Sequence, residues 1–184
     1  GGTAVLEGIA AGRQVVGNDL NSLAAFVTKV KITGLSPAEI RAVRRWATHE
    51  IPSFTYDRPI DEIEGFIDPE KTKNLSLCKA RFIKKGVTAA LASIANLSTQ
   101  DARDFARCAV LKVGQWALDG RERHTPLSEF RDRLQSTTAE MLDALASFFA
   151  YVEQKRGRAT LINGDAAHLD SADVFQKNRQ RASL

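Results

Sequence analysis

Residues 1–31, GGTAVLEGIAAGRQVVGNDLNSLAAFVTKVK, decide how this chain is read. Gly1 and Gly2 stand at the mouth of a helix, where the lack of side chains lets backbone approach a ligand and the first-turn N–H groups face a polar or anionic group. Thr3 is the expected N-cap of a helix with Val5, Leu6, Ile9 and Ala10 on one face, and Gly12 falls where a C-terminal glycine belongs. A short strand over Arg13 to Gly17 is expected next. Asp19 then lies just beyond its carboxyl end, where open α/β sheets bind ligands and an acid accepts hydrogen bonds from ribose hydroxyls. The distance from glycine turn to acid is near the roughly 20 residues of that arrangement. Residues 21–31 follow as a second amphipathic helix with Leu23, Phe26, Val27 and Val30 at helical spacing. Taken one at a time, the same residues also suit ordinary turn glycines and an Asp19 that caps the next helix.

Near the other end, Ala159 to Ile162 reads as a buried strand and Asn163-Gly164-Asp165-Ala166 as the turn after it. Read alone, Asp165 equally caps a following helical turn.

The first stretch resembles the S-adenosylmethionine-dependent DNA amino-methyltransferases that modify cytosine N4 or adenine N6. Their first motif is a D-P-F-x-G-x-G-T turn entering a helix with a Glu, followed by G-R-x-x-x-G-x-D-x-N-x-x-A. This chain matches from the second half of the turn onward, including Glu7, Gly12, Arg13, Gly17, Asp19, Asn21 and Ala24. The resemblance implies a Rossmann-like class I methyltransferase segment, α/β but mainly helical overall, with S-adenosylmethionine as cofactor and DNA as partner. It implies that Gly1, Gly2 and Thr3 approach the methionine and ribose part, that Asp19 holds the ribose hydroxyls, and that Leu20 packs on the adenine face. It implies too that Asp165 of the Gly164-Asp165-Ala166 turn, flanked by Ala166, lies by the adenine amino group.

One departure bears on catalysis. The family works through a D/N/S-P-P-Y/F/W tetrapeptide that holds the target amino group and stacks on the flipped base, and this sequence contains no Pro-Pro. The first strand and the aromatic turn residue expected before Gly1 are also missing. Arg181 to Leu184 reads as the start of a further strand. No catalytic residue is therefore assigned within the chain, which reads as a segment of a larger enzyme.

Residues 1–32 and 158–184 are assigned to the cofactor-binding domain and 33–157 to an all-helical insertion, since αβ connections ordinarily span about 2–6 residues. Ser36-Pro37-Ala38-Glu39 is a capping box with proline at the first helical position, opening a helix with Ile40, Val43 and Ala47. Residues 51–68 read as loop and short turns. A helical region from Asp68-Pro69 to Leu97 is expected to be interrupted near Gly86. Ser98-Thr99-Gln100-Asp101 starts a helix running to about Asp119, and Thr125-Pro126 opens a last one ending near Gly157.

The basic residues of the insertion are candidates for phosphate contact, above all Lys79, Arg81, Lys84 and Lys85, with Arg41/Arg44/Arg45 and Arg121/Arg123/His124 behind them. The alternative is a solvated charged face, and Asp61-Glu62-Ile63-Glu64 interrupts any continuous basic surface. A net charge of +4 and a pI near 9.2 permit nucleic-acid binding without requiring it. His49, His124 and His168 lack metal-ligand spacing, so no metal is assigned. Trp46 and Trp116 lie at apolar helical positions and read as packing residues. Cys78 and Cys108, the only cysteines, read as buried free thiols in a reducing, cytoplasmic setting. No apolar run approaches the ~20 residues of a membrane span. An RNA N-methyltransferase, or a non-catalytic helical adaptor on a degenerate methyltransferase scaffold, are the rival readings.

Overall fold

The computed structural model describes residues 2–55, 77–118, 125–155 and 157–167, with side chains described from residue 83 in the second stretch. Among the described residues it is mainly helical, with six α-helices and a two-stranded parallel sheet. Two compact units emerge: Gly1–Gly34 with Leu145–Leu184, and Leu35–Ala144.

The first unit starts with α1 (Thr3–Ala10), β1 (Gln14–Asp19) and α2 (Ser22–Ile32). Gly2, not Thr3, is the N-cap of α1. It sits at φ 84°, and no side chain caps the helix. Glycine takes that left-handed conformation at little steric cost, so Thr3 is released to be the first helical residue. The strand runs to Asp19 itself, two residues beyond the expected end, because β2 (Arg158–Asn163) pairs with it in parallel along its whole length, from Gln14 opposite Arg158 to Asp19 opposite Asn163. The Asn21 side chain caps α2 by accepting from the N–H groups of Leu23 and Ala24. Of the expected apolar stripe on α2, Val30 is buried and Phe26 and Val27 are half-buried, but Leu23 is 52% exposed.

Val5 and Ile9 of α1 form a core with Val152, against which Val15, Ile32, Phe148, Phe149, Ala159 and Leu161 pack. Val152 and both phenylalanines belong to the last helix, α6 (Leu127–Val152). That helix ends five residues before the expected stop at Gly157, and the chain turns there, Lys155 N–H donating to Val152 O at 2.8 Å. Residues 145–157, assigned from sequence to the insertion, therefore group with the sheet. The Phe148 and Phe149 rings meet edge to face with centroids 5.5 Å apart.

The second unit contains α3 (Pro37–Arg45), α4 (Leu77–Ile94), α5 (Gln100–Leu118) and the first turns of α6. The capping box on α3 is formed, Ser36 N–H donating to Glu39 Oε2 at 2.7 Å and Glu39 N–H to Ser36 Oγ at 3.3 Å. A π-helical turn (Trp46–Glu50) continues α3, and a 3₁₀ turn (Ile51–Ser53) follows at the start of the stretch expected to hold loop and short turns. Both turns shift backbone carbonyls out of the α ladder, and α6 supplies donors to them. Gln135 Nε2 donates to Ala47 O, and Arg131 Nη1 to Pro52 O and Phe54 O. Ile51 and Phe54 are buried in consequence. The helix α4 runs through Gly86 without the expected interruption. A buried Gly86 lets the Phe130 ring lie against the helix backbone.

Hydrogen bonds from the Thr99 hydroxyl, the Ser36 hydroxyl and the Ser36 N–H hold the Glu39 carboxyl below its ordinary range, with slight burial opposing them. A depressed folded-state pKa contributes stability above the unfolded value, and that contribution is lost as pH falls through the folded one. In urea titrations the stability gap between the unmodified chain and Glu39→Gln is expected to be largest above the ordinary Glu range and to close on acidification. A gap independent of pH refutes this origin.

Candidate cofactor site

Three sequence-nominated segments meet at one edge of the sheet unit. Parallel pairing puts Asp19 and Asn163 side by side at the carboxyl ends of β1 and β2, and the Gly164-Asp165-Ala166 turn follows immediately. The third segment is the amino end of α1. A Cβ added to Gly17 would lie 2.9 Å from both Val5 Cγ2 and Leu161 Cδ2, and Gly8 faces Val15 in the same manner. Val5 thus sits over Gly17 and Gly8 over Val15, so α1 runs antiparallel to β1 with its amino end toward Asp19. A side chain at Gly17 would require Val5 and Leu161 to shift.

Asp19 Oδ1 accepts from Asn21 N–H at 2.9 Å, which tightens the turn into α2, while Oδ2 meets no donor among the described residues. The carboxylate is half-buried. It therefore combines a fixed orientation with one oxygen open to a hydroxyl donor. Leu20 next to it is 77% exposed, an apolar surface at the strand end. Asp165 Oδ1 accepts from Ala167 N–H at 2.9 Å, the local turn contact that the residues alone also allowed. Asp165 and Ala166 are both exposed. Gly2 is fixed from behind by α2, since an added Cβ would stand 2.6 Å from Thr28 Oγ1. Thr28 is itself buried and donates to Ala24 O at 2.8 Å. Gly1 lies outside the described residues.

Two contributors carried no sequence signal as site residues. Asn163 Nδ2 donates to Asp19 O at 2.8 Å and to Leu20 O at 3.4 Å, and Gly164 N–H donates to the same Asp19 carbonyl at 3.2 Å. The two Asn163 bonds tie the turns together across 144 and 143 positions of sequence, which no local pattern encodes. Leu23, placed in the buried stripe, instead adds apolar surface one turn from Leu20.

The basic candidates are not gathered into one visible patch. Lys79 and Arg81 lie in the backbone of α4, but their side chains are outside the described residues. Lys84 and Lys85 are half-buried, and both already interact within the fold. Arg44 pairs with Asp143 at 2.9 Å on the surface, and Arg121, Arg123 and His124 are outside the described residues. His49 is exposed, His168 is outside the description, and among the described residues no group of three or more His, Cys, Asp or Glu could hold a metal ion. Trp46 is buried with its Nε1–H donating to Ser93 Oγ at 2.8 Å, and Trp116 is half-buried with the Arg133 guanidinium 5.5 Å from its ring centroid. Both are packed in the helical unit, as their spacing suggested. Cys108 is buried, and the Cys78 side chain is outside the described residues. No described helix is long and apolar enough to cross a membrane.

No family model, curated protein or solved structure matches this chain.

Proposed function

We propose that residues 1–32 and the β2 turn form the cofactor-binding part of a Rossmann-like S-adenosylmethionine-dependent DNA amino-methyltransferase acting on cytosine N4 or adenine N6. The observation that carries this reading is the convergence at one sheet edge of an uncapped helix start, an oriented Asp19 and the Asn163–Ala166 turn. Open α/β sheets bind ligands at that edge.

The residues present fit such a cofactor. The first-turn N–H groups of α1 lack a side-chain acceptor and suit a carboxylate. Asp19 Oδ2 suits ribose hydroxyls, and Leu20 with Leu23 offers apolar surface for adenine. Asp165 suits the exocyclic adenine amine. Bound S-adenosylmethionine would supply an activated methyl group to the base amine. The work of this chain is then to bind and orient, while the target base leaves the helix stack. With no Pro-Pro in the sequence, no residue of this chain is assigned to holding the target amine.

Asp19→Ala in the full-length chain is expected to weaken S-adenosylhomocysteine binding by at least about a hundredfold, as charged hydrogen bonds to two hydroxyls contribute about 1.5–3 kcal/mol each. Titration calorimetry measures this directly. Equal affinity in the two proteins sinks the reading.

A further inference from the structure

We infer that Asn163 is a positioning residue that sets ribose recognition by fixing the main chain of Asp19 and Leu20. The inference rests on the cofactor reading above. The side-chain amide reaches across to the end of β1: Nδ2 donates to Asp19 O at 2.8 Å and to Leu20 O at 3.4 Å. Asp19 O also accepts from Gly164 N–H, so two donors from the β2 end hold one carbonyl at the β1 end. Asp19 is the last residue of β1, and beyond it the β ladder gives no further support. Without the amide, the Asp19–Leu20 peptide keeps the single Gly164 bond and the Asx turn made by Asp19 Oδ1 to Asn21 N–H. The carboxylate would still be present, but its direction would be less fixed, and hydrogen bonds to a diol depend on direction.

Asn163 touches no ligand atom in this scheme, so its removal acts through Asp19. That gives it a signature distinct from loss of stability. Asn163 is exposed, so its replacement leaves the core intact. General destabilisation lowers affinity for every ligand by one factor. Loosening Asp19 lowers affinity for S-adenosylhomocysteine more than for its 2′-deoxyribose analogue, which offers one hydroxyl fewer.

The test measures both ligands by calorimetry on the full-length unmodified chain, Asn163→Ala, Asn163→Asp, Asp19→Ala and the Asn163→Ala/Asp19→Ala double variant. The expected result is a roughly three- to tenfold loss of the ribose-over-deoxyribose preference in Asn163→Ala, the range of one neutral hydrogen bond. Asn163→Asp is expected to lose at least as much, because a carboxylate facing two carbonyl oxygens donates nothing. In the Asp19→Ala background, Asn163→Ala is expected to cause no further loss of preference, the non-additivity of residues acting through one contact. A preference unchanged in Asn163→Ala, or a further loss in the double variant, overturns the positioning role and leaves the cofactor reading standing. Failure of the unmodified chain to bind S-adenosylhomocysteine overturns both.

Discussion

Gly12→Ala is expected to destabilise the sheet unit by about 3 kcal/mol, combining left-handed strain of about 1–2 kcal/mol with an overpacking cost of about 1–3 kcal/mol. Gly12 has φ 75° after the last turn of α1, the position where a helix closes with a left-handed glycine. An added Cβ would stand 2.6 Å from the carbonyl oxygen of Lys155. That neighbour is main chain in the turn between α6 and β2, so no rotamer change relieves the overlap. Next to it, Gly157 lies against the backbone of Ile9, and Arg158 N–H donates to Arg13 O at 3.0 Å. The α1–β1 turn and the turn before β2 are thus locked together, and the β1–β2 register starts from this lock. Gly12→Asn separates the two causes, because asparagine tolerates the left-handed region but still carries a Cβ. Asparagine is expected to be nearly as damaging as alanine. Amide exchange in β1 and β2 is the readout, since both tryptophans lie in the other unit. An asparagine variant close to the unmodified chain would show that conformation, not contact with Lys155, makes the glycine necessary.

How much of this was legible in residues 1–31 depends on the range of the interaction that decides each feature. The order of helix, strand and helix follows from local pattern and is present. Gly12 and the Asn21-led helix start were readable because both satisfy backbone groups within a few residues. The N-cap of α1 was misplaced by one residue, since Thr3 has the better capping side chain but Gly2 alone accepts the left-handed turn beside Thr28. The strand end at Asp19 was two residues late because pairing with β2 sets it. The π turn at Trp46–Glu50 has no local signature at all. Its Ala47 carbonyl is met by Gln135 Nε2, 88 positions along the chain.

The site divides along the same line. Asp19, Leu20 and Asp165 were nominated from the strand-end acid and the family resemblance, and the parallel register brings the strand ends that carry them to one edge. Asn163 was passed over as a turn residue, although its amide makes the long-range bonds that join the two turns. The basic candidates rested on charge alone. At Lys84 and Lys85 half-burial and interactions within the fold reduce the charge on offer to a phosphate backbone.

Phe130→Ala is expected to cost the helical unit about 3–5 kcal/mol, the range for removing a buried aromatic ring. Phe130 is 2% exposed, and its ring lies 3.3 Å from where a Cβ on Gly86 would be. The glycine that sequence reading took as a helix break is therefore a seat for this ring. Helix propensity favours alanine over glycine by about 1 kcal/mol in a helix interior. In the unmodified chain, Gly86→Ala is expected to give no net gain, because a Cβ at 3.3 Å from Phe130 Cδ1 and Cε1 forces the ring outward. In the Phe130→Ala background the ring is gone, and the same Gly86→Ala change should stabilise by about 1 kcal/mol or more as it also fills part of the cavity. Trp46 and Trp116 report unfolding of this unit by fluorescence, so a urea double-mutant cycle measures the coupling. A Gly86→Ala effect of the same size and sign in both backgrounds would mean that Gly86 is glycine for a reason other than the packing of Phe130.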